Sequence, residues 1–391
     1  MKKSIYVMAL GAFGIITTEF GVIGILPAIA NDLHIGIEKA GWLLSGFALT
    51  VAVTGPFAMM ASSRVNRRTI MAIVLLLFVI SNIISALSAD FTLLMIARII
   101  PAILHPVFWS VSTVAASRLA APGQSAKAVA VVMGGLSVAT VLGVPMATYI
   151  ADLLNWRCSF VMSGLINLVA LIALLITVPS MPVTENVKLN SQLQGLKSRQ
   201  LWINLVATVL MLAGMFSGYS YLADFLGKIT KMNGIEISIM LLIFGSAGIA
   251  GNWLTGILMA RNPLFTTRLF LVSLALVNVL AFSFGDSFGA MAGIVALWGF
   301  IHTGGFLISN LRTIAEAPDA PELAASLMVS FGNGGVTLGT VLGGFVISMW
   351  ETRNITILSI ALLGLAFALN FIRFPDAKDR LISEKDRSLV H

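Results

Sequence analysis

The chain has 391 residues, of which 58% are hydrophobic and only 10% charged, with 24 Lys and Arg against 17 Asp and Glu for a net charge of +7. Soluble domains carry roughly 25% charged residues, so an ordinary water-exposed globule is excluded, and the hydrophobicity excludes a disordered chain. The single cysteine, Cys158, cannot pair within the chain, and unbroken apolar runs of about twenty residues exclude a transmembrane β-barrel, whose strands alternate over about ten.

The apolar runs predict twelve spans at about 4–29, 38–61, 69–88, 91–117, 127–151, 158–180, 201–226, 237–260, 266–284, 287–311, 323–349 and 354–374. Each can cross a roughly 30 Å hydrocarbon core at 1.5 Å per residue. Lys2, Lys3 and Ala28-Ile29-Ala30 imitate a secretory signal, but a run this long that contains Glu19 reads as an uncleaved first span. Of the Lys and Arg residues, 18 fall on the side of the termini and 5 on the other, with Arg98 inside a span. That bias places both termini in the cytoplasm of a bacterial-type inner membrane. It also absorbs the basic excess without a nucleic-acid partner.

Sliding the chain against itself by 196 positions sets Asn82 on Asn278, Asp90 on Asp286 and Pro122 on Pro318, and brings Arg64 within one position of Arg261. Four positions more set Gly134-Gly135 and Thr140-Val141-Leu142-Gly143 on Gly334-Gly335 and Thr340-Val341-Leu342-Gly343. Several coincidences at nearly one offset predict a repeat. The expected organisation is an N-terminal six-helix bundle over 1–180, a cytoplasmic linker over 181–200, a C-terminal six-helix bundle over 201–375 and a cytoplasmic tail over 376–391.

Ionisable groups at membrane depth are costly and mark function. Glu19 lies 15 residues into the first span, about 22 Å along it, with no Lys or Arg within a helical turn. It is expected to carry protons or touch substrate, or else to be a protonated, hydrogen-bonded structural acid. In span 4, Arg98, His105 and Trp109 stand at i, i+7 and i+11 and are expected to share one face. His105 can relay protons and Trp109 can stack on a ring or sugar face. Arg98 is read either as a cavity charge or as the partner of a carbonyl or acid. Tyr219, Tyr221 and Asp224 in span 7 suit a cavity wall or outer gate, Asp224 equally an interfacial position. Asn278 and His302 are further candidates in the second half, and Arg312 is expected to anchor a cytoplasmic helix end.

No phosphate-binding loop, Gly-x-Ser-x-Gly elbow or metal-spaced Cys/His cluster is present, so neither enzymatic chemistry nor a cofactor is expected and an ion gradient is the expected energy source.

Thr18-Glu19-Phe20 and Gly24-Ile25-Leu26-Pro27 in span 1, Leu104-His105-Pro106-Val107-Phe108-Trp109-Ser110 in span 4, Asn155-Trp156-Arg157 with Phe160, Tyr219-Ser220-Tyr221, and Ala317-Pro318-Asp319 form a recognisable set. In these the chain resembles the major facilitator superfamily over essentially its whole length. The resemblance is to the twelve-span drug/proton antiporter branch, closest to bacterial sugar (arabinose) efflux transporters. It implies an all-α membrane protein of twelve transmembrane helices in two pseudo-symmetric six-helix bundles, rocking about a midplane site. It also implies a substrate cavity that includes Thr18, Phe20, Trp109 and Ser110.

Where the family reads Gly-x-x-x-Asp-Arg-x-Gly-Arg-Arg between spans 2 and 3, this chain keeps Arg64, Arg67 and Arg68 but has Met59, Ser63 and Asn66 for the glycines and the acid. The cytoplasmic latch that the resemblance associates with that acid lacks it here, and the basic residues also serve as a positive-inside anchor. Gly135, Gly143 and Pro145 form a weak version of the family's antiporter signature, repeated as Gly335, Gly339 and Gly343. Glycines so spaced also simply allow close helix packing.

The expected function is proton-coupled efflux of small organic solutes such as sugars, nucleosides or amphipathic drugs, the protein needing only itself, protons and the lipid bilayer, and a monomer sufficing. The alternatives are a symporter or uniporter that imports a solute, and a membrane receptor without turnover.

Overall fold

The computed structural model describes residues 2–62, 64–121, 124–182, 199–316 and 321–372. Most of the expected linker and all of the expected tail lie outside the described residues. Among those described there are sixteen α-helices and no strand. They are α1 (Lys3–Asp32), α2 (Ile37–Ser62), α3 (Arg67–Leu87), α4 (Phe91–Ala102), α5 (His105–Leu119), α6 (Ser125–Val138), α7 (Val144–Leu153) and α8 (Trp156–Thr177) in the first half. The second half holds α9 (Arg199–Tyr219), α10 (Leu222–Lys228), α11 (Gly234–Arg261), α12 (Pro263–Phe284), α13 (Phe288–His302), α14 (Gly304–Ala315), α15 (Pro321–Met349) and α16 (Ile355–Leu369).

The helices begin where the sequence supplies a cap. Asn66, Asp90, Asn155, Asn233, Asn262 and Ser287 each accept a backbone N–H of the following first turn, which satisfies a donor that a helix start leaves open. Asn66 and Asn262, 196 positions apart, cap the corresponding helices of the two halves.

Taken with their continuations, eleven helical segments are long and apolar enough to cross a membrane, and α2, with 26 residues, is the twelfth span. The distribution of side chains is that of a protein in lipid. On α3 the exposed residues Ile73, Leu76, Ile80, Ile83 and Leu87 form one apolar stripe, while Ser81, Asn82 and Ser85 are buried. A stripe of that kind on a soluble protein would drive aggregation; against hydrocarbon it is neutral, and the polar groups turn inward to find partners.

Three spans expected to be continuous are broken along their length. Span 4 divides into α4 and α5 at Ile103–Leu104, between Pro101 and Pro106; proline supplies no N–H, so the backbone bonds across it are lost. Span 10 divides at Thr303, whose hydroxyl donates to Gly248 O at 2.6 Å, and span 7 divides at Ser220-Tyr221. In span 5 a π turn over Ala139–Gly143 precedes Pro145, the wider turn that absorbs an unpaired carbonyl.

The glycines of spans 5 and 11 do the same job in each half. A Cβ at Gly135 would strike Ala9 O and one at Gly143 would strike Thr17, so span 5 lies directly on span 1. A Cβ at Gly335, Gly339 or Gly343 would strike the backbone of Val209, Ala213 or Ser217, so span 11 lies in the same way on span 7. At Gly339 the added atom would stand 2.8 Å from Ala213 Cα. Gly339→Val is therefore expected to destabilise the purified protein by about 1–3 kcal/mol, the range for overpacking, read as a lowered unfolding temperature. Gly334, around which a Cβ meets nothing within 4 Å, is the matched control.

Candidate functional site

Glu19 sits near the middle of α1 and is 4% exposed. Its Oε2 lies 3.1 Å from His105 Nε2, within ion-pair distance though not aligned as a hydrogen bond. His105 is the first residue of α5, so the break in span 4 is what delivers the imidazole to the carboxyl. Trp109, one turn later on α5, donates its Nε1–H to the same His105 Nε2 at 3.1 Å. The His105 ring also meets Phe47 and Phe78 on edge or tilted, and its Nδ1 is buried without a partner.

That shared nitrogen has a chemical consequence. While Trp109 donates to it, the single Nε2 lone pair is taken, so Nε2 neither donates to Glu19 nor accepts from it. When the imidazole itself is protonated, Nε2–H donates to the Glu19 carboxylate and the indole must let go. One proton thus selects between two arrangements of three side chains.

Around this pair the backbone is held by buried polar groups. Thr18 Oγ1 donates to Gly14 O at 3.0 Å and accepts the amides of Asn82 (3.0 Å) and Asn167 (3.1 Å), tying span 1 to spans 3 and 6. Arg98, 1% exposed, donates Nε to Leu43 O (2.9 Å), Nη1 to Thr18 O (3.1 Å) and Nη2 to Glu19 O (3.1 Å). Its guanidinium is committed to three backbone carbonyls of spans 1 and 2. The face expected to join Arg98, His105 and Trp109 is interrupted by the break in span 4, although Arg98 and His105 both still meet Phe47. Phe20 is buried against Phe216 of span 7, centroids 5.9 Å apart, so the residue after Glu19 touches the other half. Ser110 is partly buried beside Trp109.

The second half holds a counterpart. His302 stands 197 positions after His105, Phe306 197 after Trp109 and Tyr219 200 after Glu19. His302 ends α13 at the break of span 10, as His105 follows the break of span 4. Its ring lies 4.8 Å from Tyr219, 5.4 Å from Phe244 and 5.6 Å from Phe216, and Tyr219 stacks on Phe244 at 4.8 Å. Asn278 donates to Leu274 O as Asn82 donates to Phe78 O. The repeat thus places a phenol where the first half has a carboxyl, among the aromatic rings of Phe216 and Phe244.

The remaining candidates have other surroundings. Tyr221 donates to Thr340 O at 2.8 Å, and a Cβ at Gly41 of span 2 would strike its hydroxyl. Asp224, 3% exposed, accepts from Thr352 Oγ1 (2.9 Å) and pairs with Lys228 (3.0 Å), which ties the second part of span 7 to the start of span 12. Arg64 is exposed in the turn after α2. The backbone N–H of Arg67 bonds Met181 O and the Arg68 guanidinium bonds Leu175 O, so this basic cluster ties the start of span 3 to the end of span 6. Among the described residues, two side-chain hydrogen bonds join the halves, Ser238 Oγ to Pro145 O (2.9 Å) and Thr337 Oγ1 to Ser45 O (3.2 Å).

The Asn167 clamp and the Phe216 and Phe244 walls were not foreseen from sequence. The His105 and His302 correspondence was available there, at an offset one position from that of Asn82 and Asn278.

Two pseudo-symmetric six-span halves, each with a broken helix that carries a buried histidine to the waist, define a repeat-built membrane transporter. Comparison with known proteins sharpens the class. Residues 8–321 match the family model of the Major Facilitator Superfamily, and the chain belongs to that family. It is 31% identical over 368 residues to the inner membrane transport protein YdhP of Escherichia coli (strain K12), covering 93% of this chain and 94% of that one. It is likewise 31% identical over 350 residues to the uncharacterized MFS-type transporter YfhI of Bacillus subtilis (strain 168), covering 89% and 88%. Among solved structures, the nucleoside transporter NupG superposes with a TM-score of 0.76 at 12% identity, over 94% of this chain and 98% of that one. An inward-facing bacterial homologue of the lysosomal transporter Spinster does so with 0.72 at 16%, over 95% and 97%. At such identities these two show the fold. The protein is a multi-pass membrane transporter of a small solute and not an enzyme.

Proposed function

We propose that the protein is an antiporter that expels small organic solutes, sugars or amphipathic drugs among them, across the bacterial inner membrane in exchange for protons. The single observation that carries this reading is the buried Glu19–His105 pair at the waist, 3.1 Å apart, with Trp109 on the same imidazole nitrogen. Proton arrival from the periplasm rearranges the three side chains and releases solute outward. Proton loss to the cytoplasm restores the solute-binding arrangement. The half-site of Tyr219, His302, Phe216 and Phe306 holds the ring or apolar face of the solute, next to Phe20. Solute and proton shift the two-state equilibrium by their differential affinity for the states. The inter-half hydrogen bonds Ser238 to Pro145 and Thr337 to Ser45 join the halves in the state described.

Everted membrane vesicles with an acid interior test this directly. Labelled sugars, nucleosides and amphipathic amines are offered in turn; for at least one, accumulation is expected to exceed that of vesicles lacking the protein and to collapse on addition of a protonophore. Accumulation that survives the protonophore contradicts proton coupling, and flux only down the solute gradient contradicts antiport and selects a uniporter.

A further inference from the structure

Phe20, the residue after Glu19, is 8% exposed, and its ring lies 5.9 Å from that of Phe216, which is 1% exposed. Among the described residues this is the one ring pair to which each half supplies a member; the others lie within the first half or within the second. Phe216 in turn meets Tyr219 (5.7 Å), His302 (5.6 Å) and Phe306 (6.0 Å). A single contact therefore joins the neighbour of the carboxyl to the aromatic cluster of the second half.

The repeat does not copy this contact. At the offset of 200 that sets Tyr219 on Glu19, Phe20 falls on Ser220 and Phe216 on Ile16. Ser220 shares a hydrogen bond with Thr340 of its own half at 2.8 Å. The ring pair thus belongs to this one meeting of spans 1 and 7, and packing common to both halves does not require it.

Arg98 holds the carbonyls of Thr18 and Glu19 at 3.1 Å each, so Glu19 and Phe20 are carried on one fixed stretch of α1. The titratable and charged side chains met at Glu19, among the described residues, are His105 of α5 at 3.1 Å and Arg98 of α4 on its carbonyl. When the halves rock, Phe20 moves with the first and Phe216 with the second, and their contact has to slide or part. A contact that differs between two states enters the same equilibrium that a proton on Glu19 biases, and coupling of this kind is reciprocal.

We infer that Phe20 is a positioning residue of the exchange: through its contact with Phe216, the Glu19–His105 pair and the aromatic cluster of the second half sense each other's state. Without that contact the carboxyl still titrates, but it no longer responds to the second half. The inference rests on the reading of Glu19 as the proton-carrying group.

The test needs no solute. Purified full-length protein is titrated in detergent while infrared difference spectra follow the protonated-carboxyl band, which Glu19→Gln identifies by its loss. Phe20→Leu and Phe216→Leu are each expected to move the midpoint of that band by about 0.4–1 pH unit, in the same direction. The double variant should move it no further than the larger single change, because the same contact is gone in all three. Phe367→Leu, which removes a ring pair within the second half, should leave the midpoint in place. Each variant is read with its unfolding temperature near that of wild type, and Phe20→Ile stands in if Phe20→Leu unfolds. Additive shifts in the double variant, a midpoint that ignores both rings, or a shift from Phe367→Leu as large as that from Phe216→Leu would overturn the inference and leave the proton reading intact. A wild type in which no Glu19 band titrates would overturn that reading and this inference with it.

Discussion

Glu19→Gln is expected to reduce proton-driven solute accumulation in everted vesicles to the level of membranes without the protein. The amide has nearly the carboxyl's shape, but it cannot take up or release a proton. The protein should therefore fold, because Thr18, Asn82, Asn167 and Arg98 hold the surrounding backbone through groups other than the Glu19 side chain. Exchange of labelled for unlabelled solute should persist, since the aromatic half-site around His302 is untouched. Glu19→Asp is expected to fall between the two: the carboxyl remains but is one methylene shorter, which opens the 3.1 Å approach to His105 Nε2. A Glu19→Gln protein that still concentrates solute against a gradient at the wild-type rate would remove the carboxyl from the coupling step.

The second large effect is on stability and runs against chemical similarity. Arg98 is buried and spreads three donors over the carbonyls of Leu43, Thr18 and Glu19. In Arg98→Lys a charge stays buried while a single ammonium on a flexible stem replaces a planar fork. At most one carbonyl keeps a good bond, and the loss of two charge-assisted hydrogen bonds at about 1.5–3 kcal/mol each amounts to about 3–6 kcal/mol. Arg98→Met gives up all three bonds but also removes the buried charge and keeps most of the apolar volume. A buried charge that has lost its hydrogen bonds is costlier than an apolar group in the same place, so the methionine variant should lose less. Unfolding temperatures of the two purified variants decide the order; a lysine variant as stable as wild type would mean that charge, and not the fork, is what the three carbonyls require.

Much of this fold could be read from sequence because a membrane imposes its pattern on single helices. Spans follow from apolar length, and caps such as Asn66, Asp90 and Asn155 mark helix starts within a residue or two. The repeat showed in polar residues, since Asn82 and Asn278 cannot be exchanged freely with the surrounding aliphatics. Glu19 stood out as an acid at depth. What was hidden is whatever depends on how helices meet. The break in span 4 is flanked by Pro101 and Pro106, but span 10 breaks at Thr303 with no proline, where the threonine hydroxyl and Gly304-Gly305 allow the chain to turn against span 8. Helical periodicity counted through a break therefore could not settle what Arg98 faces. The choice between a cavity charge and a carbonyl partner needed α1 and α2 in place, because its acceptors are backbone atoms that carry no sequence signal. The Tyr219 counterpart of Glu19 was masked by the chemical difference between phenol and carboxyl.

The central claim is that a proton moves on and off Glu19 beside His105. Infrared difference spectra between acid and alkaline states of the purified protein observe this without knowledge of the solute, through the C=O stretch of a protonated carboxyl. The wild type is expected to show such a band that disappears at high pH, absent in Glu19→Gln and displaced in frequency in His105→Gln, where an amide replaces the imidazole at the 3.1 Å contact. A wild-type band that survives intact in Glu19→Gln would place the titrating carboxyl elsewhere and contradict the mechanism.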